Sequence, residues 1–234
     1  MKLAALSLTF ASLTTGVHAL EFNGAIIGSD YFIYDERPAP EGQSFEGSVE
    51  LGFGAFAMQV DAAIFNIYDP NDPIPTGTIH GIYNVSDALA LGAFYGAEDW
   101  SEPEGIAYDN YGVEAIFRFA GAPVEIETYW YETVGRETDP YIADVFSVKA
   151  TYGLSDNASL HAAYVHSTDN DGADVDIYVV GGDYRFNNGI SVGAEYVMVE
   201  DFDSLTAFGL HISKSFGGGV TFGQRDWHNV HYGY

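Results

Sequence analysis

The chain has 234 residues, with 34 Asp and Glu against 8 Lys and Arg, a formal net charge of −26. So acidic a protein is not a nucleic-acid binder, because a phosphate backbone needs a basic face. It contains no cysteine, which removes disulfides, thiolate metal sites and a cysteine nucleophile.

Residues 1–19 read MKLAALSLTFASLTTGVHA. Lys2, the apolar run Leu3 to Leu13 and the small-residue end Val17-His18-Ala19 form a secretory signal peptide, leaving 20–234 as a single domain. The apolar run is too short for a transmembrane helix, which takes ~20 residues. No later stretch is continuously apolar over that length. An exported chain of this kind is either soluble or crosses a membrane as a closed barrel of strands.

From Phe22 onward the pattern has period two, the signature of strands with one apolar face. The opening strand runs from Phe22 to Tyr34. Pairs follow: Phe45 to Gly52 with Ala55 to Ile67, Thr78 to Val85 with Leu89 to Ala97, and Tyr108 to Phe119 with Val124 to Tyr131. In the next pair Phe146, Val148, Ala150 and Tyr152 alternate with Ser147, Lys149, Thr151 and Gly153 before a polar turn, and Leu160, Ala162 and Tyr164 alternate on the returning arm. Asp176 to Phe186 and Ile190 to Val199 flank Asn187-Asn188-Gly189, where Asn-Gly is a strong hairpin signal. Leu205 to Phe216 and Val220 to Arg225 flank Gly217-Gly218-Gly219, and the tail Trp227 to Tyr234 reads as a closing strand. This is an internal repeat of strand, tight turn, strand and longer loop.

The two sets of connections differ. The tight turns carry little charge, whereas the longer loops are acidic, as in Glu98, Asp99, Glu102 and Glu104, or Glu200, Asp201 and Asp203. Short turns at one rim and long loops at the other is the asymmetry of an outer-membrane barrel. The expected fold is therefore all-β: an antiparallel up-and-down transmembrane β-barrel of 12–14 strands, with short periplasmic turns and longer acidic outer loops. One face carries Val49, Met58, Val60, Ile64, Val113, Phe117, Val180, Tyr196, Leu210 and Ile212 without an ionised group among them. The other carries Glu46, Glu50, Asp61, Glu114, Arg118, Glu125, Glu127, Lys149, Asp183, Arg185, Glu195 and Arg225, interspersed with Gly, Ala and Ser. Small residues among charges suit a crowded interior better than a solvent face, so these twelve are the candidate pore-lining residues. A soluble β-sandwich with the apolar face as its core is the alternative.

The signal ending at Ala19, turn-linked strands such as YNVSDALALGAFYG (83–96), and the terminal Tyr234 in phase with Tyr232 and Val230 resemble a small Gram-negative outer-membrane porin or porin-like barrel. The resemblance implies export to the outer membrane, contact with lipid and lipopolysaccharide, and passage of small solutes or cations without a cofactor. A homo-oligomer is left open. The chain is short for a sixteen-stranded trimeric porin and has no loop long enough to fold inward as a constriction.

A cation-preferring pore follows from the excess of inward acids; a non-conducting barrel with a salt-bridged lumen is the competing outcome. A further basic cluster of Arg118, Lys149 and Arg185 at one rim is expected as the narrow point. Asp169, Asp171 and Asp174 in DNDGADVD resemble a calcium loop but lack its downstream Glu, so they imply at most loosely bound Ca²⁺ or Mg²⁺. Enzymatic activity is not expected: His161, His166 with Ser167, and His211 with Ser213 lack the geometry of a base–nucleophile pair. His228 and His231 are too isolated for a metal site. Glu125 and Glu127 share a strand face but no substrate cleft.

Overall fold

The computed structural model describes residues 20–35, 41–67, 73–100, 106–136, 142–170, 172–200 and 205–225. The signal peptide and the tail strand from Trp227 lie outside these residues. Twelve strands follow one another: β1 (Glu21–Tyr34), β2 (Glu41–Phe53), β3 (Phe56–Ile67), β4 (Ile74–Ser86), β5 (Leu89–Trp100), β6 (Ile106–Arg118), β7 (Val124–Gly135), β8 (Ile142–Gly153), β9 (Ala158–Asp169), β10 (Asp174–Arg185), β11 (Ile190–Glu200) and β12 (Leu205–Gly217). Each pairs antiparallel with its chain neighbours, and β12 pairs back on β1 from Gly24–Gly217 to Tyr34–Ala207, closing the barrel. Closure satisfies every ladder and leaves no edge, the condition for spanning hydrocarbon with strands.

The short connections form where Gly and Asn permit them. At 186–190 the Phe186 and Ile190 backbones bond, Gly189 adopts φ 81°, and Asn188 Oδ1 accepts the Ile190 N–H at 3.1 Å. Chain direction puts all five short turns, the start of β1 and the end of β12 at one rim, here called the short-turn rim.

Alternation sends the apolar face outward. Val49, Val60, Ile79, Val113, Val180, Leu210 and Ile212 are exposed, as are ring girdles above and below them. On β2 the rings of Phe45 and Phe53 are about 26 Å apart along the strand at ~3.3 Å per residue, or about 20 Å along the axis at a tilt of ~40°. That matches a bilayer-facing band rather than a soluble core, and the sandwich alternative is excluded. At the long-loop end the outer surface becomes polar: the Tyr95 hydroxyl bonds Asp109, which also bonds Arg136, Tyr111 bonds Glu132, and Tyr164 and His166 bond Asp176.

The strands are longer than the alternation alone indicated. They reach into the acidic connections, so Glu98, Asp99, Glu132, Asp169, Asp174 and Glu200 are strand residues. Glu98 is turned inward and buried, while Asp99 and Glu200 are exposed on the outside.

Val220 to Arg225 is not a thirteenth strand. The triple-glycine turn does form, with φ of 62° at Gly217 and 82° at Gly219 and the Gly218 N–H on the Asn23 carbonyl at 2.8 Å. The free edge of β12 is already taken by β1, so no ladder remains for the chain to join. It turns instead into the barrel, and Phe222 becomes fully buried among Ala57, Ile82, Ala90 and Ile116. At the entry the chain passes so close to β1 that a Cβ on Gly24 would lie 2.0 Å from the Gly219 oxygen. Gly24→Val is therefore expected to expel the segment while leaving the barrel closed. Trypsin cleavage after Arg225 should accelerate at least about ten-fold, equivalent to about 1.4 kcal/mol of lost docking. An unchanged cleavage rate in a folded variant refutes this seating.

Candidate functional site

Among the described residues, the strand pattern turns charged groups into the enclosed interior. Period two places all twelve candidate residues on the inner face of β2, β3, β6–β8, β10, β11 or, for Arg225, on the segment inside. Their partners fall into two chains of contacts on opposite walls.

The first chain runs along β3, β4, β6 and β7. Gln59 Nε2 donates to Asp61 at 2.9 Å, Asp61 meets His80 Nε2 at 2.9 Å, and His80 Nδ1 meets Glu114 at 2.8 Å. Glu114 then pairs with Arg225, whose second nitrogen bonds Glu127 at 2.8 Å. All of these except Glu127 are nearly inaccessible, with His80 and Gln59 at 0%. Buried charges need partners of opposite sign and filled hydrogen bonds, and the alternation of acid, histidine, acid and arginine supplies both. The ring of Tyr129 stacks under the guanidinium at 4.3 Å, with Phe94 at 5.4 Å and Phe222 at 5.8 Å.

The second chain occupies β1, β2 and β9–β12. Ser44 donates to Asp30 at 2.8 Å. Asp183 bonds His211 through one oxygen and His161 Nδ1 at 3.2 Å through the other, and His161 Nε2 lies 3.5 Å from Glu195. Glycines make room for these side chains to lie flat on the wall: a Cβ on Gly193 would meet the His211 ring at 2.1 Å, and one on Gly181 would meet His161 at 2.5 Å.

Between the chains runs the segment 218–225. The Thr221 N–H donates to Glu50 at 2.6 Å, Gln59 bonds both the N–H and the carbonyl of Phe222, and the Gly223 N–H reaches Glu127 at 3.2 Å. A cavity of about 130 Å³ opens on its β7–β11 side, with Glu127, Tyr129, Lys149, His161 and Glu195 on one part of the wall and Val165, Ile177, Val179 and Val197 on another. A second, of about 200 Å³, lies against β1, β2 and β12 beside Asp30, Glu46 and His211.

Several expectations are corrected by this arrangement. Arg118, Lys149 and Arg185 do not form a cluster. Arg118 pairs with Glu125 at 2.9 Å, and both are about 40% exposed at the short-turn rim. Lys149 sits deeper, in register with Glu127 and Ala163, while Arg185 pairs with Ser191 next to the turn, and β9 separates their strands. Orienting acids for His161 and His211 do exist, in Asp183 and Glu195, yet no serine hydroxyl bonds either ring among the described residues. His166 faces outward on Asp176, and Ser167 is buried on the inner face. In the acidic turn, Asp169 accepts the Ala173 N–H at 2.9 Å and Asp174 accepts the Thr168 hydroxyl at 2.7 Å. Asp171, His228 and His231 lie outside the described residues, and the described residues contain no group of three or more potential metal ligands.

Residues that the alternation did not mark are Asp30, His80, Phe94 and Tyr129; Phe222, whose alternation with Val220 reads as an outward apolar face, lies inside. The apolar inner patch of Val165, Ile177, Val197, Val199 and Ala207 was likewise unmarked. On β10, Ile177 and Val179 point in while Tyr178 and Val180 point out, so this half of the strand is apolar on both faces and only Asp183 and Arg185 give its direction.

No family model and no curated protein matches this sequence. Solved structures with the same fold do match. The NanC porin aligns with a TM-score of 0.62 at 8% identity, covering 81% of this chain and 98% of its own. The KdgM porin, in complex with disordered oligogalacturonate, aligns with a TM-score of 0.60 at 9% identity, covering 82% of this chain and 99% of its own. An outer membrane channel from Pseudomonas putida F1 has a TM-score of 0.60 at 11% identity, covering 87% of this chain and 100% of its own. At such identities the likeness is one of fold: a porin-type closed barrel of strands.

Proposed function

We propose that this chain is an outer-membrane channel of a Gram-negative bacterium, seated among lipid and lipopolysaccharide, for passive diffusion of small hydrophilic solutes or ions, with a preference for cations. The observation that carries this reading is the charge of the inner face. Among the described residues, Asp30, Glu46, Glu50, Asp61, Glu98, Glu114, Glu125, Glu127, Asp183 and Glu195 outnumber Arg118, Lys149, Arg185 and Arg225, even with His80, His161 and His211 beside the acids. A water-filled lumen with that balance concentrates cations and repels anions. The lipid-compatible exterior and the porin-type fold of the structural neighbours support the membrane setting. Twelve strands enclose more space than eight, whose side chains just fill the interior.

The test is planar-bilayer conductance of the refolded mature chain under a salt gradient, which is expected to give a cation-selective reversal potential. Glu125 and Glu127 are engaged with Arg118 and Arg225, whereas Glu195, among the described residues, meets only the His161 ring, at 3.5 Å, so the informative neutralisation is Glu195→Gln on the wall of the cavity of about 130 Å³. A unit charge about 8 Å from a permeant ion in a water-like medium is worth about 0.5 kcal/mol, favourable for a cation and unfavourable for an anion, so the cation-to-anion permeability ratio should fall about five-fold. An unchanged ratio refutes the assignment of Glu195 to the conducting path. The second reading, a non-conducting barrel, is favoured by one observation: Phe222 and Arg225 block part of the lumen with almost no exposed surface. A refolded, heat-modifiable barrel without conductance steps supports it.

A further inference from the structure

Arg225 is bound as a ligand would be. Its two terminal nitrogens are shared between two carboxylates, and the Tyr129 ring lies 4.3 Å and the Phe94 ring 5.4 Å from its carbon. Opposed carboxylates with an aromatic face suit the planar, multiply donating guanidinium and suit a compact ammonium poorly. The pocket belongs to the barrel wall: Phe94 is on β5, Glu114 on β6, and Glu127 and Tyr129 on β7. Glu114 is further held by His80, and His80 by Asp61, so its orientation is set without the C-terminal segment. The guanidinium comes from outside the wall, and with it the Phe222 ring at 5.8 Å.

The remaining attachments of the segment are of a reversible kind. They are backbone N–H groups on Asn23, Glu50, Gln59 and Glu127, one bond from Gln59 to the Phe222 carbonyl, and the Phe222 ring in an apolar recess, with no strand ladder. The cavity of about 130 Å³ borders Glu127, Tyr129 and Arg225, and Lys149 lines it too. Space for the rest of a solute, and a cation for its carboxylate, therefore adjoin the guanidinium pocket.

We propose that Glu114, Glu127, Tyr129 and Phe94 form a guanidinium-binding site of the channel, which Arg225 fills as a tethered occupant, and that free guanidinium solutes displace it and open the lumen. This rests on the channel reading above. It assigns segment 218–225 the role of a plug latched by one side chain, and it assigns guanidinium compounds, arginine among them, as the solutes to which the plug responds. Vacating the pocket without a replacement leaves two facing carboxylates in the wall, so opening favours a solute that restores the positive charge.

The experiment uses the full mature chain refolded in bilayers at fixed ionic strength. Arginine or guanidinium chloride at millimolar concentration is expected to raise the open probability several-fold, with lysine at the same concentration leaving it unchanged. Arg225→Gln is expected to be open without any addition. Equal open probabilities for the two proteins overturn the latch, and an equal response to lysine and arginine overturns the guanidinium specificity. If neither protein conducts, the channel reading fails, and a second measurement judges the site by itself. The chain has no cysteine, and a Cβ on Gly223 would meet Glu127 at no closer than 3.4 Å, so Gly223→Cys offers a unique thiol beside the latch. Bulky maleimide labelling of folded Gly223→Cys should become about ten-fold or more faster with arginine present or with Arg225→Gln added, as the segment leaves the lumen. Labelling rates unaffected by both overturn the proposal.

Discussion

Replacing Glu114 by alanine is expected to lower the unfolding free energy of the refolded barrel by about 3–5 kcal/mol, the usual cost of removing one partner of a buried ion pair. Glu114 is 4% exposed and lies between His80 and Arg225, themselves 0% and 3% exposed. Its loss leaves the guanidinium with Glu127 alone and leaves His80 with a single acid, Asp61. Denaturant titration in detergent, followed by tryptophan fluorescence and by heat-modifiable mobility, measures the difference. The coupling with Arg225 is also fixed by the contact: the double variant Glu114→Ala with Arg225→Gln should cost less than the sum of the singles, because residues in one network are not additive. A loss under about 1 kcal/mol, the range of an exposed pair, would show that this wall is not a dry network.

The second large effect concerns the outer face. Val60→Arg places a charge midway along β3 on the surface that carries Phe56, Met58 and Ile64, all exposed. In a bilayer this costs about 2–4 kcal/mol for a charge near the midplane. Thr151→Arg, on the inner face of β8 and only partly buried, is expected to be tolerated within about 0.5 kcal/mol, the ordinary spread for surface changes. Folding yield and unfolding free energy in lipid vesicles distinguish the two sites. Equal costs for both variants contradict the inside–outside assignment on which the channel reading depends.

Strand positions and faces were legible because period two is a local property. Val49 and Glu50, or Val113 and Glu114, state their directions by being neighbours. The tight turns were legible for a similar reason, since Asn188-Gly189 needs only its own backbone to be recognised. Strand ends were less so: Glu98 and Glu200 look like loop residues by charge, and only the lengths of the neighbouring strands decide that they stay in the ladder. Val220 to Arg225 was misread because V-T-F-G-Q-R alternates as well as any strand. Whether β12 has a free edge depends on β1, nearly two hundred residues earlier, and no local pattern carries that. The same holds for His80, a lone histidine on β4 whose meaning comes from Asp61 and Glu114 on other strands. Twelve strands fall at the lower bound of the expected range because the triple glycine redirects the chain instead of pairing it.

The seating of 218–225 has a consequence for how the molecule reaches its final form. Its side-chain partners on the wall are Glu50, Gln59, Glu114 and Glu127, on β2, β3, β6 and β7, separated from it by 96 to 171 residues. None of these side chains faces a common space until the sheet has curled. A slip of one residue in any of the four strands would turn its contact residue from the lumen to the lipid. The last residues of the barrel to settle thus test the pairing of strands laid down long before them, and a chain with one misaligned hairpin would be left with an arginine that has nowhere to go.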